Sequence, residues 1–550
     1  MIKRSLLATS IAMALVQQAA ATPLLPMDAR GLAMGSTGVA SAKLAHAPQY
    51  NPALLSTANE EDDFAIIFPQ IGIVVADEDK LVESFDDLAN KDYKTTQEPI
   101  IDHFDSILTN LDNILTNGPN SVENQINNLD NLLSDPNTNA TTLSNTANTL
   151  NTSIGNVQVQ TADLTQTTFD LTSELDNLSG SPLRGSLGIN GAIAIPSKTF
   201  AAAVSVSGSA YFSGRMFFTA DDQALLNDYA GAVNDYAGEV EDYTSATATL
   251  ASTLAEAENI NCDNPTPGNL SACQNLAIDA IAQRETIDTE FTQLNNFSAQ
   301  SGNTVIIGTD GNGNLVIAED PELTSSVQVI AVAITEIGLT LSREFSIAGE
   351  NIAIGITPKL QTIKTFNFVA SVEDEEIDSD DVKDTEQDFS AFNIDVGAAY
   401  QFGQDKQWQA GLVAKNLLSK EYETKSNAYG PVGNTQIAKT KVSLDTQFRA
   451  GISHTTEWTV VAIDLDLMEN DPVAFESATQ YASIGAEFDL FDTLQLRAGY
   501  RTNLSASDSS IASLGFGLSP FGVHFDLAVM ANPSDPEKEA GAAMEFGFYF

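Results

Sequence analysis

Beyond its first two dozen residues the chain holds no stretch of about 20 apolar residues, the length a membrane-spanning helix needs, yet apolar side chains recur at every second position. Val442, Leu444, Thr446, Phe448, Ala450 and Ile452 alternate with Lys441, Ser443, Asp445, Gln447 and Arg449. Thr459, Val461, Ile463, Leu465 and Leu467 do the same, and so do Leu494, Leu496, Ala498 and Tyr500. A period of two is that of a strand with one apolar face. Such a face meets either lipid or a second protein layer, and alternation alone does not choose.

Three features choose lipid. Connections alternate between short ones, at Pro196–Lys198, Ile347–Gly349, His454–Thr455, Phe491–Asp492 and Pro520–Phe521, and long polar ones. Outer-membrane barrels show that asymmetry between periplasmic turns and extracellular loops. Phe402, Trp408, Trp458, Phe488, Phe491 and Phe521 gather beside the short turns, as rings do at a membrane–water interface. The chain runs out as Met544, Phe546, Phe548, Phe550 on one face, resembling the C-terminal strand by which barrel-assembly machinery recognises its clients. The expected fold is an all-β transmembrane antiparallel barrel of about 14 strands, with an N-terminal plug and extracellular α-helical insertions. One of its strands is expected over Lys441–Ser453.

Lys3 and Arg4, the apolar run Leu6–Val16 and Ala19-Ala20-Ala21 read as a signal peptide over 1–21, cleaved near Ala21. That places the chain in the outer membrane of a Gram-negative bacterium, with lipid and lipopolysaccharide around it. Residues 22–62 are expected to form the plug and 63–550 the barrel. With 74 acidic against 25 basic residues, the net charge of −49 argues against nucleic acid as a partner. Two cysteines exclude a disulfide-dense or cysteine-rich metal protein.

Two insertions, 77–183 and 219–324, interrupt the strands. The first carries helical seams at Ile101, Phe104, Leu108, Leu111, Leu115 and at Leu143, Ala147, Leu150, Ile154, Val157. The second has the longest: Leu226, Tyr229, Val233, Tyr236, Val240, Tyr243, Leu250 and Leu254, broken by Thr247. A weaker helix follows over Ala272–Phe297, and a helical bundle projecting from the barrel mouth is expected. Cys262 and Cys273 flank the turn between the last two helices and read as a local disulfide.

Candidate chemistry is sparse. Asp310, Asn312 and Asn314 hint at a calcium loop, but Leu315 stands where glycine is needed, so a hairpin between Val305–Ile307 and Leu315–Ile317 is the better reading. The run Glu373–Asp381 reads as a solvated loop. On the inward parity lie Asp445, Arg449, Asp464, Asp466, Glu487, Arg497 and Arg501: a charge ladder that either pins register and plug or forms a polar conduit. His46, His103, His454 and His524 are the only histidines and lie in no catalytic motif, so neither enzyme, cofactor nor metal is expected.

The segment DARGLAMGSTGVASAKLAHAPQYNPALL (Asp28–Leu55) resembles the N-terminal segment of the FadL-type superfamily of outer-membrane barrels. TEIGLTLSREF, IAIGITPKLQ, GLVAKNL, AIDLDLMENDPV, YASIGAEF and LQLRAGYRTNL, in that order, resemble the conjugal-transfer TraF-type outer-membrane family. The chain lacks the C-x-x-C of the thioredoxin-like F-plasmid protein that shares the name. The resemblance implies a plug at Gly31, Gly35, Gly38, Asn51, Pro52 and Ala53, and a hydrophobic ligand passing it. It also implies a lateral opening where a third strand bends, here at Gly208 and Gly214. Two functions follow: a transporter of a hydrophobic or amphipathic small molecule, or a surface interaction protein anchored for contact with conjugation components.

Overall fold

The computed structural model describes residues 26–549 apart from 58–63, 78, 136, 303, 310–313, 319–322, 348, 373–378, 429–435, 438, 471–477, 492 and 507–508. The expected signal peptide, most of the calcium-like loop, the start of the acidic run and Phe550 lie outside the described residues. The chain forms two compact units: one of Ser84–Ser179 and Phe218–Ser325, the other holding the barrel.

Fourteen antiparallel strands close the barrel. They are β1 Ala65–Ala76, β2 Pro182–Ile195, β3 Ala201–Phe217, β4 Ser326–Ile347, β5 Glu350–Ser371, β6 Gln387–Phe402 and β7 Trp408–Lys415. Then come β8 Gln447–Thr455, β9 Thr459–Asp466, β10 Tyr481–Leu490, β11 Leu494–Asn503, β12 Ser510–Leu518, β13 Val523–Ala531 and β14 Glu539–Tyr549. Each strand pairs with its sequence neighbours, and β14 returns to β1. Because every pairing is antiparallel, the short connections all fall at one end, where Phe491 and Phe521 are almost wholly exposed. Apolar side chains such as Ile193, Val206, Leu360, Ile463 and Leu514 stand exposed on the outer face of successive strands.

The strand expected over Lys441–Ser453 is divided. Lys441–Leu444 pairs with Lys420–Glu423 in a separate hairpin, and β8 starts only at Gln447. Val442, Leu444 and Tyr422 are buried there against Val332, Ile334 and Ile363 of the inner wall. Alternation carried through this boundary because both pieces are strands; which sheet each joins is a tertiary choice.

One strand departs from regular pairing. Among the described barrel strands, register shifts occur only in β1, between Ile67 and Gln70 against β2 and between Phe68 and Ile71 against β14, with Pro69 common to both. Pro69 offers no N–H to the ladder, and the bulge turns both Phe68 and Pro69 outward. Ala65 and Ile67 face inward before it; Gln70 and Gly72 face inward after it.

Inside the barrel sits the segment Pro26–Thr57, nearly all of it buried. It enters a belt of wall glycines: Gly355↔Gly397, Gly411↔Gly451 and Gly485↔Gly499 are cross-strand partners. A Cβ on Gly411 would lie 2.3 Å from the Val39 carbonyl oxygen, and one on Gly499 2.0 Å from the Gly35 nitrogen. At these glycines the wall presents backbone rather than side chain to the inner segment.

The helical unit contains α1 Ile100–Leu115, α2 Val122–Ser134, α3 Ala140–Leu178, α4 Ala220–Asn259 and α5 Leu270–Asn295. Long α3 and α4 pack on each other; the buried stripe of α3 includes Leu143, Leu150, Ile154 and Val157, and that of α4 Tyr229, Val233, Tyr236 and Tyr243. Thr247 is fully buried in that stripe, its hydroxyl donating to the Tyr243 carbonyl at 2.9 Å. In α1 the buried seam is Ile100, Phe104, Ile107, Leu111 and Leu115, so Ile101 and Leu108 are corrected by one position. Burial pushes the Tyr236 hydroxyl pKa upward, with Glu123 adding to the shift. Cys262 and Cys273 are disulfide-bonded between α4 and α5, with Cα atoms 5.4 Å apart. Thr304–Thr309 and Leu315–Ile317 form the expected hairpin.

Two predictions follow from this packing. Gly499→Val is expected to cost at least the ~1–3 kcal/mol of an overpacked core, read as a lower midpoint of heat-modifiable gel mobility; Gly231→Ala, with open space around it, should shift it by no more than about 1 kcal/mol. Removing both cysteines should lower the melting of helical circular dichroism by about 2–3 kcal/mol, while barrel mobility on gels stays unchanged.

Candidate functional site: the plug seat and its flanking cavity

The inner segment starts with a short helix, Ala29–Ala33, capped by Asp28, whose carboxylate accepts from the Gly31 nitrogen at 2.5 Å. The chain then reverses at Gly35 and Ser36, both with left-handed φ, of 69° and 67°. Of the three plug glycines, Gly35 alone is required by backbone conformation. Gly31 and Gly38 serve packing instead: a Cβ on either would collide with the Tyr50 side chain, whose hydroxyl donates to Asp28.

Asn51 ties the seat together. Its amide donates to the Val39 carbonyl at 2.9 Å, across the plug, and to the Ala398 carbonyl at 3.1 Å, on β6. Its side-chain oxygen accepts from the Ala53 nitrogen at 3.1 Å, capping the turn Pro52–Ser56. Pro52 begins that turn, and the Ala53 carbonyl accepts from Ser342 of β4 at 3.2 Å.

The charge ladder is drawn into contact with the plug. Arg30 makes two hydrogen bonds to Glu487, at 2.8 and 3.0 Å, and Glu487 also takes Arg497 at 2.6 Å. Arg497 passes on to Asp526 at 2.5 Å. Asp464 accepts from the Gly38 and Val39 nitrogens at 2.8 and 3.0 Å. Arg449 pairs with Asp466, whose other oxygen accepts from the Tyr481 nitrogen at 2.8 Å. Arg501 bridges Ser36 and Glu539 at 3.1 and 3.0 Å. Asp445 is outside this network: it lies past the Lys441–Leu444 hairpin strand and accepts from Ser419.

Sequence reasoning missed the plug's own bases and the acids of the last two strands. His46 meets Glu545 at 3.0 Å, and Lys43 meets His524 at 3.1 Å. Burial works against the charged His46 imidazole, yet Glu545 and then Asp28 hold its pKa above the usual value; burial likewise raises that of Asp28. The parity rule that found Arg497 and Arg501 also selects Asp526, Glu539 and Glu545. Arg30 had a signal too, as a cation alone in a glycine- and alanine-rich stretch. Asp28, His46 and Glu545 place ligand atoms within 4.8 Å of one another, but Tyr50, Gly31 and Tyr549 already contact that trio.

On the β1–β7 side the plug leaves space. A cavity of about 80 Å³ lies between Met27, Pro48 and Gln49 of the plug and the inner faces of these strands. Gly208 borders it, but the expected lateral opening is corrected: β3 pairs without a break from Ala202 to Arg215 with β2 and from Ala201 to Phe217 with β4. Gly208 and Gly214 stand in a closed wall, because a glycine weakens a strand without obliging it to bend.

These features define a closed β-barrel with an apolar outer face and an inner plug latched by buried charge. The family profile described as "F plasmid transfer operon, TraF, protein" matches residues 48–466, and the chain belongs to that family. No curated protein matches it in sequence. Among solved structures it is similar to the toluene transporter TbuX of Ralstonia pickettii, at 10% identity and TM-score 0.41 over 96% of this chain and 99% of that one. It is similar to a Pseudomonas aeruginosa FadL homologue at 9% identity and TM-score 0.41, covering 97% and 99% of the two chains. The Pseudomonas putida toluene transporter TodX gives 10% identity and TM-score 0.36, covering 96% and 97%.

Glu487 carries two buried arginines, so Glu487→Ala is expected to cost about 3–5 kcal/mol by leaving Arg30 without a carboxylate and Arg497 with Asp526 alone. Arg30→Met leaves Glu487 paired with Arg497 and should cost less. Heat-modifiable mobility and limited proteolysis of the plug report the order; equal midpoints for the two variants would show that the latch is not the seat.

Proposed function

We propose that the protein is a plugged β-barrel of the Gram-negative outer membrane that admits a small amphipathic molecule past its N-terminal segment. An apolar side-chain belt exposed to water around a whole barrel would be costly, and lipid removes that cost. The observation that carries the transport reading is the asymmetry of the plug seat. Arg30, Gly38, Val39 and His46 are latched to β9, β10 and β14, whereas the opposite flank keeps a cavity bounded by plug residues and wall. Movement of the Met27 and Pro48–Gln49 stretches would open that flank without breaking the charge network.

Proteoliposomes with the full chain should take up labelled hexyl glucoside saturably and faster than empty vesicles. Rates equal to those of empty vesicles would overturn the reading.

A second reading, a surface protein contacting conjugation components, draws on the helical unit. Ile278 and Ile281 of α5 are each 64% exposed beside the disulfide-closed turn. Deleting 221–300 should then abolish mating while barrel assembly persists; unchanged mating would remove this alternative.

A further inference from the structure

The flanking cavity has a chemistry of its own. At one rung of the inner wall the register brings Gln70, Asn190, Ser207 and Glu336 side by side on β1 to β4. Gln70 reaches this rung through the Phe68–Pro69 bulge; continued alternation from Ile67 would have turned it toward lipid. The strand irregularity thus delivers an amide to the cavity.

Those amides are underused. Asn190 is 5% exposed and Gln70 1%, and both line the cavity. Neither the Asn190 side-chain oxygen nor its nitrogen has a hydrogen-bond partner. Gln70 donates to the Gln49 side-chain oxygen at 3.0 Å, leaving the Gln70 oxygen and the Gln49 nitrogen unpartnered. Two acceptors and two donors without partners therefore belong to residues that line one space. A buried polar group left unsatisfied is destabilising, so the fold alone gives no reason to put them there.

The charges beside them are already balanced. Lys359 is held at 3.1 Å by both Glu336 and Asp395, and Lys415 donates to the Gln49 carbonyl. Two cations thus stand with two anions, and a ligand of net charge finds no excess of the opposite sign. A hydrocarbon fits no better, since it would bury the amides without partners. Ser205, Ser207 and Ser209 add hydroxyls along the β3 wall. Since about 10–15 Å³ in this measure accommodates one water, the 80 Å³ present has room for several polar atoms.

We propose that this cavity is a binding site for an uncharged molecule, or head group, bearing several hydroxyl or amide groups. Recognition rests on donor–acceptor complementarity to Asn190, Gln70 and Gln49, with the ion pairs of Lys359 fixing the wall behind them. The inference goes beyond the transport reading, naming the polar part of an amphipathic cargo, but does not require that transport occurs.

The test uses the full chain in detergent and labelled glucose and glycerol in equilibrium dialysis, with hexanoate and toluene as competitors. Saturable binding of at least one neutral probe is expected, uncompeted by either competitor. Asn190→Leu and Gln70→Leu should each weaken it about tenfold, the value of one hydrogen bond of roughly 1.4 kcal/mol. Asn190→Leu should fold with an unchanged or higher heat-modifiable midpoint, since an amide with neither polar atom partnered is replaced by a side chain of similar shape, whereas Gln70→Leu also gives up the bond to Gln49. No saturable binding of either probe, or displacement by hexanoate or toluene, would overturn the proposal; so would a lower midpoint for Asn190→Leu, which assigns that amide to the fold. Binding without hexyl glucoside uptake would refute transport alone, and uptake without binding would refute this site alone.

Discussion

The interior depends on how closely two backbones approach. The plug can occupy the barrel only because the wall strands present glycine where it passes, letting carbonyls and amides of the inner segment come within van der Waals range of the sheet. That approach excludes water, so backbone groups on the plug need partners in the protein. Asp464, Ser342 and Ser513 of the wall supply them, and Asn51 of the plug bonds both the Val39 carbonyl and the wall carbonyl of Ala398. Close contact and polar satisfaction are two consequences of one packing decision.

Charge follows from the same decision. A chain of net charge −49 keeps its cations scarce, and several of them are spent inside. The plug supplies Arg30, Lys43 and His46, while the wall supplies Glu487, Asp526 and Glu545. Such pairs are weak evidence for net stability, because desolvation offsets their attraction, but they strongly penalise any arrangement that separates partners. Their effect is to fix one position of the plug in the lumen. The β1–β4 flank is bonded to the plug by uncharged groups, Gln70 to Gln49 and Ser342 to Ala53, and carries the amides that line the cavity.

Much of this architecture was legible along the chain. The period of two, the alternation of short and long connections and the helical seams identified fourteen strands and the long helices, because local periodicity is set by which face must be buried. The ladder residues Arg449, Asp464, Asp466, Glu487, Arg497 and Arg501 could be placed inward by parity, and Cys262–Cys273 by proximity in sequence. The misreadings share a cause. Asp445 left the ladder because its strand joins another sheet, and Gly208 kept its register because its neighbours pair through it.

By itself the sequence determined the strand period and the inward placement of Arg449, Asp464, Asp466, Glu487, Arg497 and Arg501, since each is fixed by residues within a few positions. Tertiary structure decided which partner each charge meets, that Gly31 and Gly38 make room for Tyr50, and that a bulge at Pro69 sends Gln70 into the lumen. Those outcomes depend on side chains from a dozen to hundreds of positions apart, or on a register shift that reverses parity, and neither is written in local pattern.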